Sequence, residues 1–399
     1  MLASILSLSL GAAVASATNL FVSSYAGNIT TLSLTASNGT YHIEKTYVNN
    51  GCAPNPSWLT LDANRGELYC LDEGLTVPNG SLSSYLVNPN GSLTQVQKAS
   101  VISGPVNGVI YGRPAGQRYL ALAHYSGSAV SDWALDTNGT GSFTFNQDLL
   151  FNLSHPGPNA ARQDAPHEHE AILDPTGQYV LVPDLGADLV RVFCIDSDTG
   201  LLTAETPLSV SPGSGPRHAA FWNPAGVSCE NCTSYLYVVT ELANTVTGYA
   251  VSYPAAGGMA FEKVYESSVY GQLNLPSGNA AAEIAVSPDN RFLLISNRNN
   301  TSFSLPNPIP SNSTQIPSDS LSTFALNANG SLTFHQLWPA GGSFPRQFSL
   351  NRYGDLIAVG LQESSEVVVM ARDVATGLVG MPVARVEIEG MVTSVVWDD

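Results

Sequence analysis

From Asn55 onward the chain repeats one pattern of apolar and polar positions. A short alternating run enters a tight polar turn, a second apolar run follows, and a polar link leads to a third. "NPSWLTLDANRGELYCLDE" begins at Asn55, "PVNGVIYGRPAGQRYLALAHY" at Pro105 and "HEHEAILDPTGQYVLVPDLGADLVRVF" at His167. "PRHAAFWNPAG" with "YLYVVTELANTVTGYAV" follows from Pro216, "AAAEIAVSPDNRFLLISNR" from Ala280 and "FPRQFSLNRYGDLIAVGLQESSEVVVMAR" from Phe344. Alternation with period two, bounded by Gly, Pro, Asn and Asp, predicts short strands joined by turns. The units recur at irregular intervals of roughly 50 to 64 residues, the spacing of propeller blades carrying inserted loops.

The two chain ends supply one more unit. "VTSVVW" near the C-terminus reads as an inner strand, and "NLFVSSYAG" with "ITTLSL" near the N-terminus as the next two. Pairing them closes the ring and removes the free edges that an open sheet leaves. The expectation is an all-β chain folded as a seven-bladed β-propeller, closed by its N- and C-terminal strands.

Composition narrows the setting. The chain has 399 residues, 44% of them hydrophobic and 12% charged, with 35 Gly and 25 Pro, which suits a turn-rich β fold with a large core. The opening "MLASILSLSLGAAVASA" ends in a small-x-small signal, so residues 1–17 read as a signal peptide and 18–399 as one propeller domain. Asn-x-Ser/Thr sequons stand at Asn28, Asn38, Asn79, Asn90, Asn138, Asn152, Asn231, Asn299, Asn300, Asn312 and Asn329. Most lie in turn-like segments, and together they predict a secreted glycoprotein. Cys52 and Cys70 flank one predicted strand pair, Cys229 and Cys232 in "CENC" are placed to close a small loop, and Cys194 reads as a buried free thiol. A net charge of −17 argues against nucleic acid and anionic membranes as partners.

Antiparallel pairing brings the start of each first strand and the end of each second strand to the same face. Registered on the turns, Asn107, His169, His218 and Arg346 fall at the first position, with Arg217 one step earlier. Glu241 and Arg298 fall at the second, with Glu73, His124, Asp184 and Gln362 close by. Acids, histidines and arginines from distant sequence therefore ring one mouth of the channel. Plainer readings stand beside this one. Glu241 with Arg298 is also a plausible inter-blade ion pair, His218 a satisfied inter-blade histidine, and Asp184 and Asp188 turn residues bonding their own backbone. His167 and His169 face the same way on a strand, as a metal pair would, but no third ligand stands out. No G-x-S-x-G elbow, phosphate-binding loop or H-E-x-x-H helix is present.

At these residues the sequence resembles the seven-bladed propeller lactonases, which include bacterial-type 6-phosphogluconolactonase, carboxy-cis,cis-muconate cyclase and secreted fungal aldonolactonases. The resemblance rests on "HEHEAILDPTGQYVLVPDLGADLVRVF", "GPRHAAF", "TELANTVTGY", "AAEIAVSPDNRFLLISNR" and "FPRQFSLNRYGDLIAVGLQ". It implies a catalytic set of His169, Arg217, Glu241 and Arg298. Asn107, His167, His218, Arg346 and Gln362 are expected to contact substrate. The reaction it implies is hydrolysis of an aldono-1,5-lactone without metal or other cofactor, with either His169 or Glu241 as base. Muconate cyclisation, 6-phosphogluconolactone hydrolysis, a metal-dependent lactonase and a non-catalytic glycan- or protein-binding propeller are the alternatives. The insert "NPAGVSCENCTS" between Arg217 and Glu241 is expected to extend a loop beside the site.

Overall fold

The computed structural model describes residues 17–112, 116–226, 233–309 and 311–399. Asn231, Cys229, Cys232 and residues 1–16 of the expected leader lie outside the described residues. The rest is β-structure wound into seven radial sheets.

Blade one contains the strands Pro56–Asp62, Glu67–Asp72, Gly80–Val87 and Leu93–Val101, hydrogen-bonded in that order outward from the axis. The first strands of blades two to six are Pro105–Gly112, Ile172–Leu173, Pro216–Trp222, Ala280–Val286 and Pro345–Leu350. Blade seven is assembled from both ends: Val392–Asp398 is innermost and pairs with Ala17–Ser24, followed by Asn28–Ser37 and Thr40–Asn49. This is the closure expected from the sequence.

Each interface between neighbouring blades holds one apolar cluster. Val180, Val182 and Phe193 of blade three meet Tyr111, Ala121 and Val130 of blade two, and the other interfaces repeat the arrangement. The second strands lie between two such clusters, which is why "YVLVPD" and "LIAVGL" are buried along their whole length. Each blade also has a fourth, outermost strand beyond the three visible in the repeat. Leu93–Val101 and Phe143–Leu150 expose most of one face, so polar residues interrupt their apolar pattern.

Cys52 and Cys70 form a disulfide that ties the entry to blade one to its second strand. Cys194 is free but only partly buried, because its strand passes outward from the core. Asp188 does not bond its own turn. Its carboxylate accepts the Gly213 and Gly215 N–H groups at 2.6 and 2.8 Å and so holds the segment that leads to Arg217. Asp184 does bond its own turn, through the Ala187 N–H, but also receives Arg191.

Candidate active site

A bulge at the start of the first strand builds the site. Pro56 pairs with Asp72 but Trp58 with Leu71, leaving Ser57 as an extra residue. The same slip separates Pro105 from Asn107, Pro216 from His218 and Pro345 from Gln347. In blade five it falls between Ala281 and Ile284. In blade three it falls between the Glu168–Asp184 bridge and the Ile172–Leu181 pair. A bulge re-aims the side chain it carries, and register then sorts the channel residues into three tiers.

The uppermost tier is the residue after each second strand, or in blade five the last residue of that strand, and includes Tyr25, Glu73, Tyr125, Glu241, Arg298 and Gln362. The middle tier is the bulge residue and includes His169, Arg217 and Arg346. The lowest contains Trp58, Asn107, Glu170, His218, Glu283 and Gln347. His169 and Arg217 therefore share a level, while His218 and Asn107 lie one level deeper. This corrects the single register read from the turns, which a one-residue bulge shifts.

Glu241 is the hub of the two upper tiers. One carboxylate oxygen takes Arg162 Nη2 at 2.6 Å. The other lies 2.8 Å from Arg298 Nη2 and 3.1 Å from Arg217 Nε. Burial opposes its charge, but Arg298, Arg217 and Arg162 outweigh burial and hold the carboxyl down at about 2. Arg217 is 1% exposed, and its Nη1 has no partner. Arg346 reaches Glu73 at 3.4 Å, and Tyr25 donates to the same oxygen at 2.6 Å. Arg162, Glu241, Arg298, Phe344, Arg346 and Gln362 line a cleft of about 530 Å³.

His169 is buried beside this group, with its ring edge-on to Tyr125 and, at 5.1 Å between centroids, to His218. Its Nδ1 is sealed off without a partner, and its Nε2, also without one, is the nitrogen not enclosed by protein. Burial, then Arg217, His218, Arg346 and Arg298, keep it well below the usual histidine range, so it is neutral at neutral pH.

The remaining expected contacts divide. Gln362 and Arg346 line the cleft. His167 stacks on Tyr125 at 4.3 Å. Its Nδ1 faces the Tyr125 carbonyl and its Nε2 the Asp164 carboxylate, so neither nitrogen is free for a metal or a substrate. The proposed His167–His169 metal pair is therefore not formed. Asn107 accepts the Ala171 N–H and stitches blade two to blade three, a buried structural role. His218 lies below the mouth, clasped by Glu283 at 2.9 Å and Glu170 at 3.5 Å, with Trp58 against its ring. His218 lies between blades, as its plainer reading held, but it is only half satisfied, since its Nε2 is buried without a partner.

Sequence reasoning missed Arg162, Tyr25, Tyr125, Glu170 and Glu283. Glu170 and Glu283 were findable, since "EAILDP" and "EIAVSP" put them at one repeat position. Arg162 comes from an inter-blade linker outside the repeat and left no signal.

Comparison with known proteins agrees with the fold. The family described as "Lactonase, 7-bladed beta-propeller" matches residues 14–397. The chain belongs to that family. A relative from Arthroderma benhamiae, named probable 6-phosphogluconolactonase, is 31% identical over 90% of this chain and 83% of its own length. The 6-phosphogluconolactonase of Bacillus subtilis is 26% identical over 81% of this chain and 82% of its own. Among solved structures, a putative 6-phosphogluconolactonase from Bacteroides fragilis superposes with a TM-score of 0.78 at 21% identity, covering 98% of this chain and all of its own. The periplasmic gluconolactonase of Pseudomonas aeruginosa gives 0.75 at 24% identity, covering 96% and 99%. This chain thus shares its fold with proteins named for lactone hydrolysis.

Proposed function

We propose that this lactonase-family propeller hydrolyses aldono-1,5-lactones such as gluconolactone outside the cell. The observation that carries the reading is the set of guanidiniums gathered on Glu241 beside an imidazole with a free Nε2. Lactone opening needs an activated water and a charge-stabilising environment for the carbonyl oxygen. His169 Nε2 takes the water's proton as the water oxygen bonds to the lactone carbon. Arg217 and Arg298 face the oxygen that gains charge. The tetrahedral species collapses by breaking the ring C–O bond, and the proton passes from His169 to the departing ring oxygen.

Glu241 serves as the anchor of the arginines. A carboxyl held near 2 by three guanidiniums is too weak a base to deprotonate water, which favours His169 in that role.

Export is supported by the disulfide, which suits an oxidising compartment. Asn38, Asn79, Asn90, Asn138, Asn152, Asn299, Asn312 and Asn329 are exposed, as glycosylated asparagines must be. Asn28 and Asn300 are only partly exposed, and the Asn300 amide is spent on Asn279, Asn297 and Ser320. Endoglycosidase treatment of the secreted protein should lower its mass while Asn300 stays unmodified.

A second reading, 6-phosphogluconolactone as substrate, is favoured by one feature. Arg162, Arg298 and Arg346 all line one cleft, and together they suit a phosphate group. Comparing kcat/KM for gluconolactone and its 6-phosphate separates the two. A strong preference for the phosphate selects the second reading. No acceleration of either defeats both and leaves a binding propeller, and activity retained in Arg217→Ala removes Arg217 from the mechanism.

A further inference from the structure

Below the arginines lies a group of titratable side chains that the mechanism above does not use. His218, Glu170 and Glu283 come from the first strands of three consecutive blades and are 1%, 6% and 5% exposed. His218 Nδ1 faces Glu283 Oε1 at 2.9 Å and Glu170 Oε1 at 3.5 Å. Part of this is inter-blade stitching. Glu170 Oε2 accepts the Ala219 N–H at 2.6 Å, as Gln347 Oε1 accepts that of Val395 at the equivalent position three blades on. Stitching does not need a second carboxylate facing an imidazole, nor does it account for two orphaned atoms. Glu283 Oε2 and His218 Nε2 are both buried without a partner.

His218 is also in edge contact with His169, whose Nδ1 is buried and unpartnered too. The hydrogen-bond polarities run in one direction. Because Nδ1 of His218 faces carboxylates, it carries the hydrogen, and Nε2 is left with a lone pair. A matching His169 holds its hydrogen on Nδ1 and keeps the Nε2 lone pair for the mouth. We propose that His218 and Glu283 form a proton relay behind His169, which holds the proton taken from water while the tetrahedral intermediate exists.

The balance is as follows. Water gives a proton to His169 Nε2, and the His169 Nδ1 hydrogen passes to His218 Nε2 once the two rings, in edge contact but not hydrogen-bonded here, close to hydrogen-bond distance. The His218 Nδ1 hydrogen then passes to Glu283 Oε1. When the ring C–O bond breaks, the three transfers reverse and the proton leaves on the ring oxygen. No oxidant, reductant or metal enters.

The reason for such a relay is electrostatic. An imidazolium on His169 would face Arg217, Arg298 and Arg346, with only the neutral Tyr125 and His218 rings beside it. One level down, Glu283 faces Glu170 and His218, so a proton there meets negative charge. Burial and the Glu283 carboxylate push Glu170 well above the usual carboxylate range. Glu283 Oε1 also accepts the Ile284 N–H, and Glu170 accepts the Ala219 N–H through its other oxygen, Oε2.

This inference rests on the lactonase reading, so its test has one arm without substrate. In 15N NMR of the full chain at neutral pH, both His169 and His218 should be Nδ1–H tautomers. An Nε2–H tautomer on His169 overturns the relay whatever the enzyme hydrolyses. In the kinetic arm, Glu283→Gln keeps an acceptor for the Ile284 N–H but cannot take a proton. It should lower kcat about 100-fold, the lower end of the range for assisted proton transfer, with KM within about twofold. Glu283→Asp should recover part of the loss, and it replaces Glu283→Gln if that variant does not fold. An unchanged kcat in a folded variant overturns the relay. So does stoichiometric uptake of Zn²⁺ or Mn²⁺ that Glu170→Gln abolishes, which would make the cluster a metal site.

Discussion

At the scale of single residues, Glu241 answers three arginines with two oxygens, and its removal is therefore costly in two ways. With its pKa moved from 4.5 to about 2 in the fold, ionised Glu241 stabilises the native state by roughly 3 kcal/mol. The sign follows from a depressed pKa: the contribution is present above about 4.5 and is lost as pH falls through about 2. Glu241→Gln should lose that stabilisation at neutral pH and leave like charges on Arg162, Arg217 and Arg298 unopposed. Denaturant midpoints for the two proteins should differ at neutral pH and converge in strong acid. His169 gives a second prediction. Its depressed pKa keeps the free base available well below 6.5, so kcat/KM should hold its neutral-pH value into mildly acidic solution. An acid limb centred near 6.5 would remove His169 as the base. The unfolded chain protonates this histidine near 6.5 while the fold resists, so the same shift costs stability as pH falls below that value. His169, Arg217, Glu241 and Arg298 were all legible in the sequence as a set, because each sits at a repeat position. Their division of labour was not. Whether Glu241 is a base or an anchor depends on Arg162, which no periodicity marks.

At the scale of elements, two local devices decide where side chains go. The bulge after Pro216 and its counterparts turns one residue per blade toward the mouth, and a turn-based register misplaces His218 and Asn107 by one level for that reason. The second device is the linker from Phe151 to Glu168, which crosses the rim between blades two and three. Gln163, fully buried, anchors it by accepting the Asn159 N–H and donating to the Leu185 carbonyl, each at 3.0 Å. That anchor is what brings Arg162 to Glu241 and to the Tyr125 hydroxyl. Gln163→Ala leaves the buried Leu185 carbonyl unpaired and releases the exposed Asn159 N–H, a local cost of about 2 kcal/mol. It should raise KM about tenfold, the equivalent of 1.4 kcal/mol, and Arg162→Ala should raise it in the same direction. A KM unmoved in both variants would show that the linker only covers the rim. The fourth strands were invisible for the opposite reason: their outer faces meet water, and nothing forces an apolar residue at every second position.

At the scale of the whole molecule, the ring is held shut by noncovalent pairing of its two ends. Asn19 pairs with Asp398, Phe21 with Val396 and Ser23 with Ser394, and this seam carries the apolar clusters on both sides of blade seven. Removing residues 392–399 takes the innermost strand from that blade. It also strips partners from Val22, Leu32, Ala358 and Val369, which share a cluster with Val392 and Val395. The truncated chain should lose cooperative unfolding altogether, since a propeller lacking one inner strand exposes two sheet edges at its centre. Loss on truncation alone does not distinguish a missing strand from a missing chain end, but circular permutation does. Because Asn19 and Asp398 are paired neighbours, a short linker can join the present ends. New ends can be opened in the exposed turn at 253–257, between the third and fourth strands of blade four. This permutant keeps every strand and every site residue, and it turns the seam into a continuous connection. It should melt cooperatively and retain the activity of the parent, and its unfolding should be slower if the seam is where the ring first opens. A permutant that unfolds at the parental rate would place the first opening elsewhere in the ring.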